Sequence, residues 1–241
     1  MNRMKNSQNN SDKEEEKISS VVDRRNFLRS AGIAASVGAL AMACKDDDMD
    51  TVTPGTTVDL GSGDVGVLNY AYALEQLEAA FYTQVIATPY AGMSDAEKMI
   101  LTDIRDHEII HRDFFKAALT AAAPTKIIPG LEVNFSSIDF NKRDVVLGAA
   151  RLFEDTGVAA YNGAGNMIKD KTYLLLAGKI VSVEARHAAV IRDLLKPKTT
   201  DFAGDDVIDA DGLDKAIDPA TILAAVKLYL KTAITGASVG K

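Results

Sequence analysis

Four long segments of this chain can each be read in alternating steps of three and four, the spacing that follows one face of an α-helix. Each of the four apolar stripes so traced carries a glutamate near its middle. The first is Leu68, Ala71, Glu75, Glu78, Tyr82 and Val85, and the second is Leu101, Ile104, Glu108, His111, Phe115 and Ala118. The third is Leu147, Ala150, Glu154, Gly157, Tyr161, Ala164 and Ile168; the fourth is Ala177, Ile180, Glu184, His187, Ile191 and Leu194. Apolar stripes turn inward, so any fold of these helices must gather four carboxylates in its core. An unpaired buried carboxylate costs on the order of several kcal/mol. No Lys or Arg lies on the stripes to balance that charge, which leaves metal ions.

The spacing agrees. Glu108-x-x-His111 and Glu184-x-x-His187 set a carboxylate and an imidazole one turn apart on the inward face. With 10 glutamates and three histidines in 241 residues, chance supplies roughly 0.1 such pairs, so two of them mark a site. The pattern also repeats. Glu75-x6-Tyr82 matches Glu154-x6-Tyr161 at an offset of 79 positions, and Glu108/His111 matches Glu184/His187 at an offset of 76. Two helix pairs with one ligand pattern imply a pseudo-two-fold bundle, each half offering one Glu and one Glu-x-x-His.

No segment alternates with the period of a strand, so the expected class is all-α. The helices are predicted over about 64–87, from the Ser94-x-x-Glu97 capping box to the residue before Pro124, from an N-cap at Asp139 to about Ile168, and over about 173–195. Short links join the first two and the last two. Residues 124–138, with two prolines, make a longer crossover that can run the length of a four-helix bundle. The bundle therefore spans 64–196. A C-terminal extension, 197–241, holds one further helix that opens at Asp218-Pro219 and ends near Thr232.

The N-terminal 1–43 has the form of an export signal. Arg24-Arg25-Asn26-Phe27-Leu28-Arg29 resembles a twin-arginine motif, and Ser30 to Cys44 runs without a charge but is too short to span a membrane. Ala41-Met42-Ala43-Cys44 resembles a lipobox, so Cys44, the one cysteine, is the expected lipid anchor; ordinary cleavage after Ala43 is the alternative. Residues 44–63, rich in Asp, Thr and Gly, read as a flexible tether. The expected location is outside the bacterial cytoplasm, in the periplasm or at the outer membrane or cell surface. A sequence pI near 5.0 argues against nucleic acid as a partner. A single cysteine excludes thiolate zinc and iron–sulfur sites.

The six inward Glu and His residues with the two Glu-x6-Tyr pairs resemble the ferritin-like carboxylate-bridged dimetal family, which includes ferritins, rubrerythrins and manganese catalases. The resemblance covers about 64–195. With the export signal and tail added, the chain looks most like exported ferritin-like domain proteins, some called desiccation-related. It implies that Glu75 and His111 hold one metal ion, Glu154 and His187 a second, and that Glu108 and Glu184 bridge them. Two ions of iron or manganese would then act on O2 or a peroxide in peroxidase, ferroxidase or catalase-like chemistry. A non-catalytic, metal-stabilised stress or interaction module of the envelope requires the same ligands, and the residues leave both readings open.

Around the six, Tyr82 and Tyr161 are candidates to hydrogen-bond the ligands or to take up an oxidising equivalent. Glu78 is an extra ligand, a base behind the ligands, or half of a salt bridge at the rim. His107 stands one turn before His111, beside the site. Arg186 completes an E-x-R-H form in Glu184-Ala185-Arg186-His187, but Val183 stands where relatives often carry an Asp that supports the ligands. Gly157 occupies a place where some peroxidase-type relatives carry a further Glu.

Overall fold

The structure, a computed structural model, describes residues 57–241. The Arg24-Arg25 pair, the apolar run and Cys44 lie outside the described residues. Four long helices follow one another: α1 (Gly63–Ala87), α2 (Asp95–Ala122), α3 (Arg143–Gly165) and α4 (Lys171–Leu195). α1 packs with α2 as one hairpin and α3 with α4 as the other. The short α5 (Pro219–Val226) lies in the extension, and two-residue strands β1 (Val58–Asp59) and β2 (Ile234–Thr235) pair in parallel. Among the described residues no helix is long and apolar enough to cross a membrane.

The helix starts follow local chemistry. Ser94 Oγ accepts from Glu97 N at 3.2 Å while the Glu97 carboxylate accepts from Ser94 N at 3.0 Å, the reciprocal bonds of a capping box. Asp170 caps α4 by accepting from Thr172 N and Tyr173 N, and Asp218 caps α5 ahead of Pro219. α3, in contrast, begins at Arg143 and not at Asp139. The Asp139 carboxylate accepts from Asn141 N at 3.1 Å and pairs with Lys142, a local turn that competes with helix initiation. α3 also stops at Gly165, short of Ile168, where Met167 N turns back to Ala164 O.

α1 is buried on every side from Gly66 to Ala79. The crossover helps to cover it, and two buried amides of α1 hold the crossover in place. Asn69 donates to Leu60 O and Lys126 O and accepts from Ile128 N; two turns on, Gln76 accepts from Leu131 N at 2.8 Å and donates to Pro129 O. Backbone groups of an irregular segment are thereby satisfied against a buried helix. Further along, Phe81 packs on Phe135, Phe140 and Phe153, and Phe153 on Tyr229 of the extension.

The extension is tied down as well. α5 ends at Val226, not near Thr232, because the chain leaves the helix through a 3-10 turn and Lys231 N donates to Glu132 O of the crossover at 2.8 Å. Its earlier part is anchored by Arg192, 1% exposed, whose guanidinium bonds both oxygens of Asp155 and of Asp206 and also Asp201 O. Ile217 N donates to Ala159 O, and a Cβ at Gly163 would lie 1.8 Å from Ile217 O, so only glycine lets the backbones approach. The expected tether does not extend to residue 63. From Val58 onward the chain pairs with the extension, Leu60 is fully buried, and Gly63 N donates to Lys241 O.

Candidate metal centre

Each long helix delivers its stripe to the centre: Glu75 from α1, Glu108 and His111 from α2, Glu154 from α3, and Glu184 and His187 from α4. All four carboxylates are 0% exposed, and both histidines are buried. Ligand atoms of Glu75, Glu108, His111 and Glu184 lie within 4.8 Å of one another, and so do those of Glu108, Glu154, Glu184 and His187. The two groups share Glu108 and Glu184. The histidines cross between hairpins: His111 Nδ1 is 2.8 Å from Glu184, and His187 Nδ1 is 2.7 Å from Glu108.

Hydrogen bonding divides the carboxylates into two kinds. Tyr161 Oη donates to Glu75 Oε1, and Tyr82 Oη donates to Glu154 Oε1 at 2.5 Å, so each tyrosine reaches across to the other hairpin. Glu75 and Glu154 therefore keep one oxygen each without a partner, Oε2. Glu108 and Glu184 have no aligned hydrogen bond on either oxygen, and neither do the two Nδ1 atoms, although each Nδ1 lies within 2.8 Å of one of these carboxylates. Buried polar atoms left without partners call for an explanation. Here two carboxylates offer one free oxygen and two offer a pair, with one nitrogen beside each group. That donor set fits two cations, with Glu75 and Glu154 terminal and Glu108 and Glu184 shared.

The electrostatics show what the cluster does without cations. Burial disfavours the imidazolium form, yet the carboxylates around the rings hold His111 and His187 up at about 12. Burial would raise Glu108, but the two imidazoles outweigh it and draw that carboxyl down to about 2. Burial lifts Glu154 to about 8 even beside His187. Burial, followed by repulsion from Glu184, raises Glu75 well above the ordinary carboxylate range. Tyr82 and Tyr161 are raised by burial and by the carboxylates they contact, so both stay protonated donors.

The surrounding residues divide. Glu78 is 3% exposed, and no basic partner is found for it among the described residues, so it is not half of a rim salt bridge. A Cβ at Gly157 would stand 3.1 Å from Glu78 Oε1: the missing side chain on α3 makes room for this carboxylate from α1. Burial and then repulsion from Glu108, Glu184, Glu154 and Glu75 raise its pKa. His107 is exposed, and its Nδ1 lies 3.0 Å from His187 Nε2. Arg186 does not support the cluster. It is exposed and turns back along α4 to donate to Ser182 O at 2.6 Å.

The helices and the site define a four-helix bundle with an internal carboxylate–histidine cluster. The chain belongs to the ferritin-like domain family, whose description, Ferritin-like domain, matches residues 63–197, more than half its length. No curated protein matches the chain.

Proposed function

We propose that this chain is an exported dimetal protein that holds two iron or manganese ions and uses them in redox chemistry on O2 or a peroxide. The observation that carries the reading is the division of free donor atoms, one oxygen each on Glu75 and Glu154 and two each on Glu108 and Glu184. Four carboxylates balance two divalent ions, with no Lys or Arg in the cluster. Oxygen and nitrogen donors without thiolate suit iron or manganese. When bound, two such ions supply electrons to O2 or a peroxide.

The residues do the rest. Tyr161 and Tyr82 fix the terminal carboxylates so that each presents a single oxygen, and they are the oxidisable side chains in contact with the cluster. Glu78, in the space opened by Gly157, supplies a further carboxylate as extra ligand or base. Phe81 packs on Tyr82 and Phe115 on Tyr161, so buried apolar rings back the two tyrosines. The Arg24-Arg25 motif supports export and Cys44 supports a lipid anchor in the membrane.

The test is metal analysis of wild type and Glu108→Ala, followed by O2 and peroxide consumption by the loaded proteins. Two ions per chain, turnover in wild type, and loss of both in Glu108→Ala are expected. Wild type that retains neither iron nor manganese refutes the reading. Wild type that retains them but consumes neither oxidant leaves the metal-stabilised envelope module.

A further inference from the structure

The internal repeat that maps Glu108 and His111 onto Glu184 and His187, at an offset of 76, maps His107 onto Val183. There the two halves give their ligating imidazoles different neighbours. His107 places Nδ1 3.0 Å from His187 Nε2, with the rings within 9° of parallel. Val183 offers no polar side-chain atom. His111 Nε2 has no hydrogen-bond partner among the described residues, and the His111 side chain is 11% exposed against 5% for His187.

Both histidines meet the cluster through Nδ1. A ring nitrogen that ligates a cation must present its lone pair, so the ring proton sits on Nε2. His187 can donate that proton to His107 Nδ1, which fixes the ring's tautomer and rotation and makes Nδ1 more electron-rich. The His111 ring has no such support. The tyrosine bonds do not produce the difference, because Tyr82 and Tyr161 serve the two terminal carboxylates alike.

We infer that His107 is a positioning residue for one ion position only, and that the two positions are unequal: the ion on His187 and Glu154 is held more tightly than the ion on His111 and Glu75. The inference rests on the dimetal reading. Outer hydrogen-bond partners of ligating histidines are worth about 10–100-fold in metal affinity.

The experiment is titration of the metal-free protein with cobalt(II), followed by visible absorption and calorimetry, in wild type, His107→Ala, His107→Asn and Glu154→Gln. Wild type should bind in two resolved steps, and Glu154→Gln should remove the tighter one, which assigns it. His107→Ala should weaken that step by about 10–100-fold and leave the other unchanged. His107→Asn, whose amide oxygen can accept the same proton, should restore part of the loss. His107 is exposed, so these variants should fold. Two equal steps in wild type, an unchanged tight step in His107→Ala, or equal weakening of both steps overturns the inference. Wild type that binds no cobalt(II) overturns the dimetal reading instead.

Discussion

Metal loading at neutral pH should release protons, in a number set by the apo side chains. With His111 and His187 at about 12, both rings are charged at pH 7. Glu154, at about 8, is mostly protonated, and Glu75 is raised in the same direction. Glu108, at about 2, has no proton to lose. Cations take only lone pairs, so two ions should displace up to about four protons, one from each ring and one each from Glu75 and Glu154. Shared between two ions, that is about two protons each, or about 100-fold in apparent affinity per pH unit.

The stability of the apo bundle has a matching sign. The His pKa values are raised from 6.5, so their contribution is complete below that pH and is lost toward 12. Glu154, raised from 4.5, loses its contribution as pH rises through about 8; Glu108, lowered from 4.5, loses its contribution only as pH falls toward 2. Apo protein should therefore weaken between pH 6 and 9, where cations bind best. An ion at 100 times its Kd adds about 2.7 kcal/mol, which raises Tm by about 5–10 °C in a domain of this size. Manganese(II) calorimetry in two buffers of different ionisation enthalpy counts the protons, and melting curves from pH 6 to 9 follow the increment. Binding with no proton release, or an increment that shrinks as pH rises, would refute the charged-imidazole picture of the apo site.

Glu97→Ala removes the carboxylate that accepts from Ser94 N and the 2.6 Å bond from Arg143, so chemical denaturation should show a loss of about 1 kcal/mol with metal content unchanged. Arg192→Ala leaves Asp155 and Asp206 without their shared guanidinium and should cost about 3 kcal/mol; limited proteolysis should then cut the extension near residue 201 first. Replacing Arg24 and Arg25 by Lys should leave unprocessed protein in the cytoplasm on fractionation, and Cys44→Ser should abolish lipid labelling. Unchanged export, or wild type free of lipid, would overturn the corresponding reading.

The helices and the inward Glu and His residues could be read from the sequence because both follow a local rule. A residue's face on a helix is set by its number and the 3.6-residue period, so Glu75, Glu108, Glu154 and Glu184 had to share a core wherever the helices packed. The Ser94–Glu97 capping box was legible for the same reason, being closed within four residues. Asp139 was misleading because its side chain satisfies either a helix N-cap or the turn it makes, and residue type alone does not choose. Asn69 and Gln76, two polar residues seven apart on one face of α1, mark in the sequence the line along which the crossover is held.

What only the tertiary structure decided lies between elements. Which tyrosine reaches which glutamate, and so which carboxylates keep one free oxygen and which keep two, depends on the axial register of α1 against α3. The contacts of His107 with His187, Glu78 with Gly157 and Arg192 with the extension depend on how the two hairpins and the tail are set against one another. Periodicity fixes the direction in which a side chain leaves its own helix; it holds no record of what stands opposite, because that is settled by packing across the core.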